Sequence, residues 1–499
     1  LDEHPHAGLR GHATGLAGSA NGMGGGSAGL EYGAGNYLLW AMGGSQRTGD
    51  YNTPVGKIEN SGTKLTQTAA GIARYGERGF WGASYQLQDG KYGIPGHLVH
   101  DHEEEEEDQD HAEEEVKIDW RRHNVRLHGG FRELAEAIEG VRTTLNWSDW
   151  KHSELEGAEI GTRFHNQQWT FNTVAQQRKA GVLSGSFGAW GMWRDFTATG
   201  AEALTPPVDQ NALAVFSVQE LGFERFRLQF GGRVEHNGYS PDGARARSFN
   251  GFSGAAGIHV PLPGSSAVVV NYTSSYRAPA LEELYNNGPH FGNLAYEIGN
   301  DNLSRERGDG VEISFRQSGN RSRFELTVYR NAMRDFVYLA PTGEVREGLV
   351  EAEYDQADAR FLGAEGRVDL ALRTGLWLNL GFDAVDAQLT AMRTPLPRIP
   401  PVRGKIGLDW NRAGLTLRPE LILANKQWQV FPNETATAGY ATVNLMASYS
   451  IATQHVAHLF GVNFFNAGDR LYRNHLSFIK SVAPEIGRGV RISYTVNWF

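Results

Sequence analysis

The sequence predicts an all-β chain, closed as a transmembrane antiparallel β-barrel, whose length about 22 strands would fill at roughly 23 residues per strand and connection. Three observations predict it. Apolar and polar residues alternate with period two in many segments, no apolar run is long enough for a membrane helix, and glycine and aromatic residues abound. Among 499 residues there are 62 glycines, 24 Phe, 18 Tyr and 12 Trp. That mix suits twisted strands, turns and the aromatic girdles of a barrel. A membrane helix needs about 20 predominantly apolar residues in a row. The longest uncharged stretch, 248–276, is interrupted by Gly251, Gly254, Gly257, Pro261, Pro263 and Gly264.

The alternation is clearest at the end of the chain. Val490, Ile492, Tyr494, Val496 and Trp498 take one face of a strand, and Arg491, Ser493, Thr495 and Asn497 the other. The pattern returns with Phe226, Leu228 and Phe230 against Arg225, Arg227 and Gln229, and with Val311, Ile313 and Phe315 against Glu312, Ser314 and Arg316. It recurs in Phe324, Leu326 and Val328, in Ile406, Leu408 and Trp410, and in Leu415, Leu417 and Leu421. Long charged side chains keep appearing on the second face, which a water-filled lumen tolerates and a packed soluble core does not. Residues 317–320 and 411–414 read as tight turns, and 238–248, 342–358 and 425–439 as long loops. Phe131, Leu134, Ala135 and Ile138 fit helical spacing, so 131–140 reads either as a short helix or as an irregular strand end with its turn. No 40-residue blade signature supports a propeller. One barrel domain over 1–499 is expected, with no separate soluble domain.

Charge and composition narrow the function. There is no cysteine, hence no disulfide and no thiolate metal site. The net charge of -10 disfavours nucleic acid as a partner. No Ser/His arrangement has the spacing of a nucleophile with its base, so neither an enzyme nor a catalytic cofactor is expected. No signal peptide stands at Leu1, so the chain reads as mature or trimmed. Residues 97–123 are the chemical oddity. His97, His100, His102 and His111 stand among Asp101, an unbroken run from Glu103 to Glu107, and Glu113 to Glu115. Such a run stays solvated, as an extracellular loop. Its imidazoles suit zinc, copper or nickel, and His100 and His102, about 6.6 Å apart along an extended chain, share one side. Plain surface charge and weak calcium binding are the competing readings. His4, His6 and His12 form a second cluster.

Several stretches resemble TonB-dependent outer-membrane receptors. They are Ser275-Tyr276-Arg277-Ala278-Pro279, Leu281-Glu282-Glu283-Leu284-Tyr285 and Gly299-Asn300-Asp301-Asn302-Leu303-Ser304-Arg305-Glu306. Others resemble the zinc-uptake branch more narrowly: Gly49-Asp50-Tyr51, Tyr92-Gly93-Ile94-Pro95-Gly96-His97, His152-Ser153-Glu154-Leu155-Glu156-Gly157, Gly161-Thr162-Arg163-Phe164 and Ala201-Glu202-Ala203-Leu204-Thr205-Pro206-Pro207. Gly288-Pro289-His290, Leu396-Pro397-Arg398, His475-Leu476-Ser477-Phe478 and Ala483-Pro484 complete the set. The resemblance implies a 22-stranded barrel in the outer membrane of a Gram-negative bacterium, a monomer among outer-membrane lipids, importing zinc as transported ligand. Energy would come through TonB when a plug is present; no plug is visible in this sequence. It implies His290 and Glu156 as barrel-side zinc ligands, with His152 and Glu154 behind them. Read from the residues alone, Glu154 and Glu156 are equally a pair of lumen-facing carboxylates, since positions two apart share a strand face. Haem or siderophore uptake, and a passive porin or adhesin barrel with an acidic loop, remain the alternatives.

Overall fold

The computed structural model describes residues 6–96, 115–157, 159–200 and 202–499. Twenty-two strands run up and down as a closed antiparallel barrel. The first, Gly8–Gly18, closes the ring on the last, Gly489–Trp498, with Thr14 opposite Thr495 and their hydroxyls 2.9 Å apart. Closure satisfies every edge, which is the condition for strands to survive in lipid. No described helix is long and apolar enough to cross a membrane.

The two faces follow the alternation. Val311, Ile313, Phe315, Val328, Ile406, Leu408, Ile492 and Tyr494 are exposed on the outer surface. The opposite face carries paired charges into the lumen, among them Arg418 with Asp409 at 2.9 Å, Arg316 with Glu325 at 2.8 Å, and Lys405 with Glu420. An aromatic row marks the outer surface where Tyr85, Val125, Trp147, Trp169 and Trp193 stand in direct register on five adjacent strands.

Connections differ between the two ends. At one end they are mostly tight, as at 35–36, 263–265 and 413–414; at the other lie 278–305, 390–402, 425–439 and 466–488. Two loop expectations need correction. Residues 238–248 are not a long loop, because the strands Arg227–Pro241 and Arg247–Leu262 extend to within five residues of each other. Residues 342–358 are instead the tip of a hairpin built from Ser322–Arg346 and Leu349–Arg373, turned at Glu347 and Gly348. Polar composition concealed both, since a strand that rises out of the bilayer loses its apolar face. Of the two readings of 131–140, the structure shows the strand end with its turn. Strand Val116–Arg132 stops, Glu133 takes a left-handed φ of 51°, and the next strand begins at Ile138.

Candidate metal centre

Residues 278–305 fold inward across the long-loop end of the lumen. Leu281, Leu284 and Tyr285 lie on the buried side of a short helix, Leu281–Tyr285. They pack with Leu303 on Phe164, Phe196, Val208, Tyr239 and Phe249 of the inner wall. Each leucine so buried contributes roughly 1.5–3 kcal/mol. Arg277 clamps the base of the loop. Its Nε and Nη2 donate to Glu306 at 2.6 and 2.7 Å, and its Nη1 donates to Glu283 at 2.9 Å. The Tyr239 hydroxyl donates to the Pro279 carbonyl at 2.7 Å.

Beyond the helix, the short strands Asn287–His290 and Ala295–Ile298 pair with each other. The second also runs parallel to residues 350–353 of the strand Leu349–Arg373. Phe291 and Tyr296 meanwhile pack on Val116 and Ile118. The loop thereby bridges walls that are far apart in sequence, with His290 at its centre.

His290 Nδ1 lies 2.8 Å from Glu297 Oε1. The Glu297 side chain is 1% exposed and also accepts from Asn293 at 2.5 Å, Asn286 at 2.9 Å and the Tyr354 hydroxyl at 3.2 Å. An ionised carboxylate cannot donate, so in neutral His290 the proton sits on Nδ1 and Nε2 keeps its lone pair. A carboxylate holding the far nitrogen is what fixes the ring and tautomer of a metal-ligating histidine. Burial alone would push the imidazole down and the carboxyl up. Their mutual hydrogen bond and charge outweigh it, raising His290 above the usual imidazole range and holding Glu297 below the usual carboxylate range.

The strand Ile138–Glu156 supplies the facing wall, with His152, Glu154 and Glu156 on its inner face. Glu154 is buried, and its charge meets His290 and Glu156. His152 is held between the Trp150 ring at 4.6 Å and the Phe164 ring at 4.3 Å. Glu156 faces Glu202 from the next connection at the same end, and Glu156 Oε1 and Glu202 Oε2 are both buried without a hydrogen-bond partner. Their oxygens crowd Gly161, where a Cβ would stand 2.5 Å from Glu202 Oε2 and 2.8 Å from Glu156 Oε1; only glycine leaves them room. Burial, then the neighbouring Glu156 carboxylate, push Glu202 well above the ordinary carboxylate range. The structure therefore brings His290 into electrostatic range of Glu154 and His152, and sets Glu156 beside Glu202. No three His, Asp or Glu among the described residues converge tightly enough, as placed, to hold an ion. His97, His100, His102 and His111 lie outside the described residues.

Sequence reasoning missed Glu297 and Glu202. Glu297 faces Gly288 across the small hairpin; a turn signal at Phe291-Gly292-Asn293 was the available clue. A second polar cluster ties three long connections together. Glu434 Oε1 accepts from Lys480 Nζ at 2.7 Å and lies 3.3 Å from His475 Nε2, while Glu434 also accepts from the backbone N–H of Arg398 at 3.0 Å. Despite burial, these partners hold Glu434 down at about 2.

A family model described as TonB dependent receptor-like, beta-barrel, matches residues 9–467. The chain belongs to this family. TonB-dependent receptors are transporters of the Gram-negative outer membrane and not enzymes, which makes the long-loop end extracellular and the short-turn end periplasmic. Solved structures share the barrel at low identity. The copper transporter OprC superposes with a TM-score of 0.85 at 16% identity, over 100% of this chain and 84% of that one. The FrpB iron transporter from Neisseria meningitidis gives 0.78 at 13%, over 99% and 82%. The Serratia marcescens haemophore receptor HasR, in complex with HasA and haem, gives 0.76 at 15%, over 100% and 82%. These likenesses show the fold alone.

Proposed function

We propose that this TonB-dependent receptor takes up a metal ion, zinc, through a site formed by His290 and Glu156 with Glu154 and His152 beside them. The observation that carries the reading is the His290–Glu297 pair, 2.8 Å apart in an inward-folded extracellular loop. It leaves the Nε2 lone pair of neutral His290 free for a metal, with the charge of Glu154 close by. Neutral imidazole with carboxylate is a zinc-binding chemistry, and a cation there would offset the repulsion between the facing Glu156 and Glu202 carboxylates. Small closing movements of the loop, or ligands from a plug, would complete the coordination. The acidic segment, expected over 97–123 but ended by the strand that begins at Val116, serves as an extracellular collector that raises the local metal concentration, with His97, His100, His102 and His111 as its ligands. OprC and FrpB, whose names record copper and iron transport, put a metal cargo within the range of this barrel.

Titration calorimetry on the purified protein tests the reading. Zinc should bind, and His290→Ala should weaken binding at least tenfold, as expected when one of a few fixed ligands is lost. Tighter copper binding is expected of any imidazole–carboxylate site, so the metal would be reassigned only by uptake of copper or nickel, and not of zinc, that depends on His290. Unchanged zinc affinity in both His290→Ala and Glu156→Ala would remove the site.

A further inference from the structure

Three cations stand side by side on the outside of the barrel. Arg47 lies directly opposite Lys64, and Lys64 directly opposite Lys91, on the adjacent strands Tyr37–Thr48, Thr63–Tyr75 and Gly79–Gly93. All three are exposed. They share the outward face with Leu39, Tyr85 and Trp81, whose side chains are also exposed. Like charges directly opposite one another across a ladder destabilise a sheet, so this row calls for an anion. The protein supplies little. Asp89, one step below, is taken by Arg121 at 2.5 Å, and Asp119 stands 3.9 Å from Lys91. Among the described residues, Arg47 and Lys64 have no ion pair.

The height of the row identifies the anion. At the periplasmic end Tyr37, Arg74 and Trp81 form another direct cross-strand row, with the Arg74 guanidinium over the Tyr37 ring at 5.8 Å. An aromatic row of this kind marks the lower bilayer interface. The two rows lie ten positions apart on every strand: 37 to 47, 74 to 64 and 81 to 91. A tilted transmembrane strand crosses the hydrocarbon in about 9–11 residues. Arg47, Lys64 and Lys91 therefore sit where the polar headgroups of the outer leaflet begin. Beside Arg47 on the neighbouring strand is Gly24, and a Cβ there would meet nothing within 4 Å. The row is open on that side.

We propose that Arg47, Lys64 and Lys91 form a binding site for the phosphate groups of a phosphorylated glycolipid of the outer leaflet. Below a polar step of Ser45, Thr66 and Asp89, the glycolipid's acyl chains lie along Ala41, Ala70 and Tyr85, and its phosphates neutralise three cations that otherwise repel. This site is on the lipid side of the wall, independent of the metal centre in the lumen.

The test compares the protein with the triple variant Arg47→Gln/Lys64→Gln/Lys91→Gln, both stripped of lipid in detergent, by the midpoint of heat-modifiable gel migration. Added lipopolysaccharide should raise the midpoint of the unchanged protein and leave the variant's where it was. Affinity should fall on the order of a hundredfold, about fivefold per cation. Lipopolysaccharide freed of phosphate should raise neither. Without lipid, the variant should melt no lower than the unchanged protein, because a repulsion has been removed; this also shows that it has folded. The single Lys64→Gln change should give an intermediate response. Equal stabilisation of both proteins, equal stabilisation by the phosphate-free glycolipid, or equal stabilisation by phosphatidylglycerol vesicles would overturn the proposal.

Discussion

At the scale of single residues, His290 and Glu297 decide the chemistry of the extracellular loop. His290 is raised, so its contribution to stability is complete below the ordinary imidazole value and is lost as pH rises through the raised one. Glu297 is lowered, so its contribution is complete above the ordinary carboxylate value and is lost as pH falls through the lowered one. The pair holds between those limits. If His290 ligates zinc as proposed, the metal must displace a proton from it through the lower part of that window, so zinc affinity should climb with pH and level off only above the usual imidazole value of ~6.5. Calorimetry across pH would show this; an affinity flat from pH 5 to 8 would exclude an imidazole ligand. Glu297→Gln should weaken zinc by about 10–100-fold, as loss of the group orienting a ligand typically does, and should move the pH midpoint down. His290 was a candidate in the sequence because Gly288-Pro289-His290 matches the receptor resemblance and a histidine there has no periodic reason to be present. Its partner was not, since nothing local says that residue 297 returns to residue 290.

At the scale of elements, the inward loop depends on its clamp. Arg277 ties Glu283 and Glu306 to one guanidinium, and removing it leaves two carboxylates facing each other, one of them buried. Arg277 is itself partly exposed, which moderates the cost, so Arg277→Leu should loosen the loop by about 1–3 kcal/mol. Faster hydrogen exchange in 281–298, with the barrel strands unchanged, is the expected outcome. Unchanged exchange there would mean that the leucine contacts alone hold the loop. Glu434 staples the other long loops. Its folded value of about 2 lies below the ordinary carboxylate value, so this stabilisation is present above pH ~4.5 and drains away as pH falls towards 2. Glu434→Gln should therefore speed exchange in 425–439 and 466–488 at pH 7 and change little near pH 2. Strands inside the bilayer were readable because lipid on one side and water on the other enforce strict alternation. The extensions at 238–248 and 342–358 were not, because water bathes both faces of a strand that has left the membrane.

At the scale of the whole molecule, a closed ring of 22 strands leaves no free edge, and its two faces obey different solvents. The inner face can hold paired charges such as Arg403 with Asp383, 2.9 Å apart, because the lumen is polar. On the outer face Arg47, Lys64 and Lys91 stand in one row across three adjacent strands. Alternation alone predicted the barrel, but the centre of the proposed site is assembled by a loop that crosses the lumen, and no period in the sequence encodes that crossing. The account stands on whether that crossing loop moves metal. The direct measurement is uptake of labelled zinc by cells carrying His290→Ala, Glu156→Ala or the unchanged residues in a receptor with its plug, at matched surface levels, with and without TonB. Uptake at scarce zinc should fall at least about tenfold in His290→Ala, should fall in Glu156→Ala, and should vanish for the unchanged receptor without TonB. Normal uptake by both variants, or equal uptake with and without TonB, would contradict it.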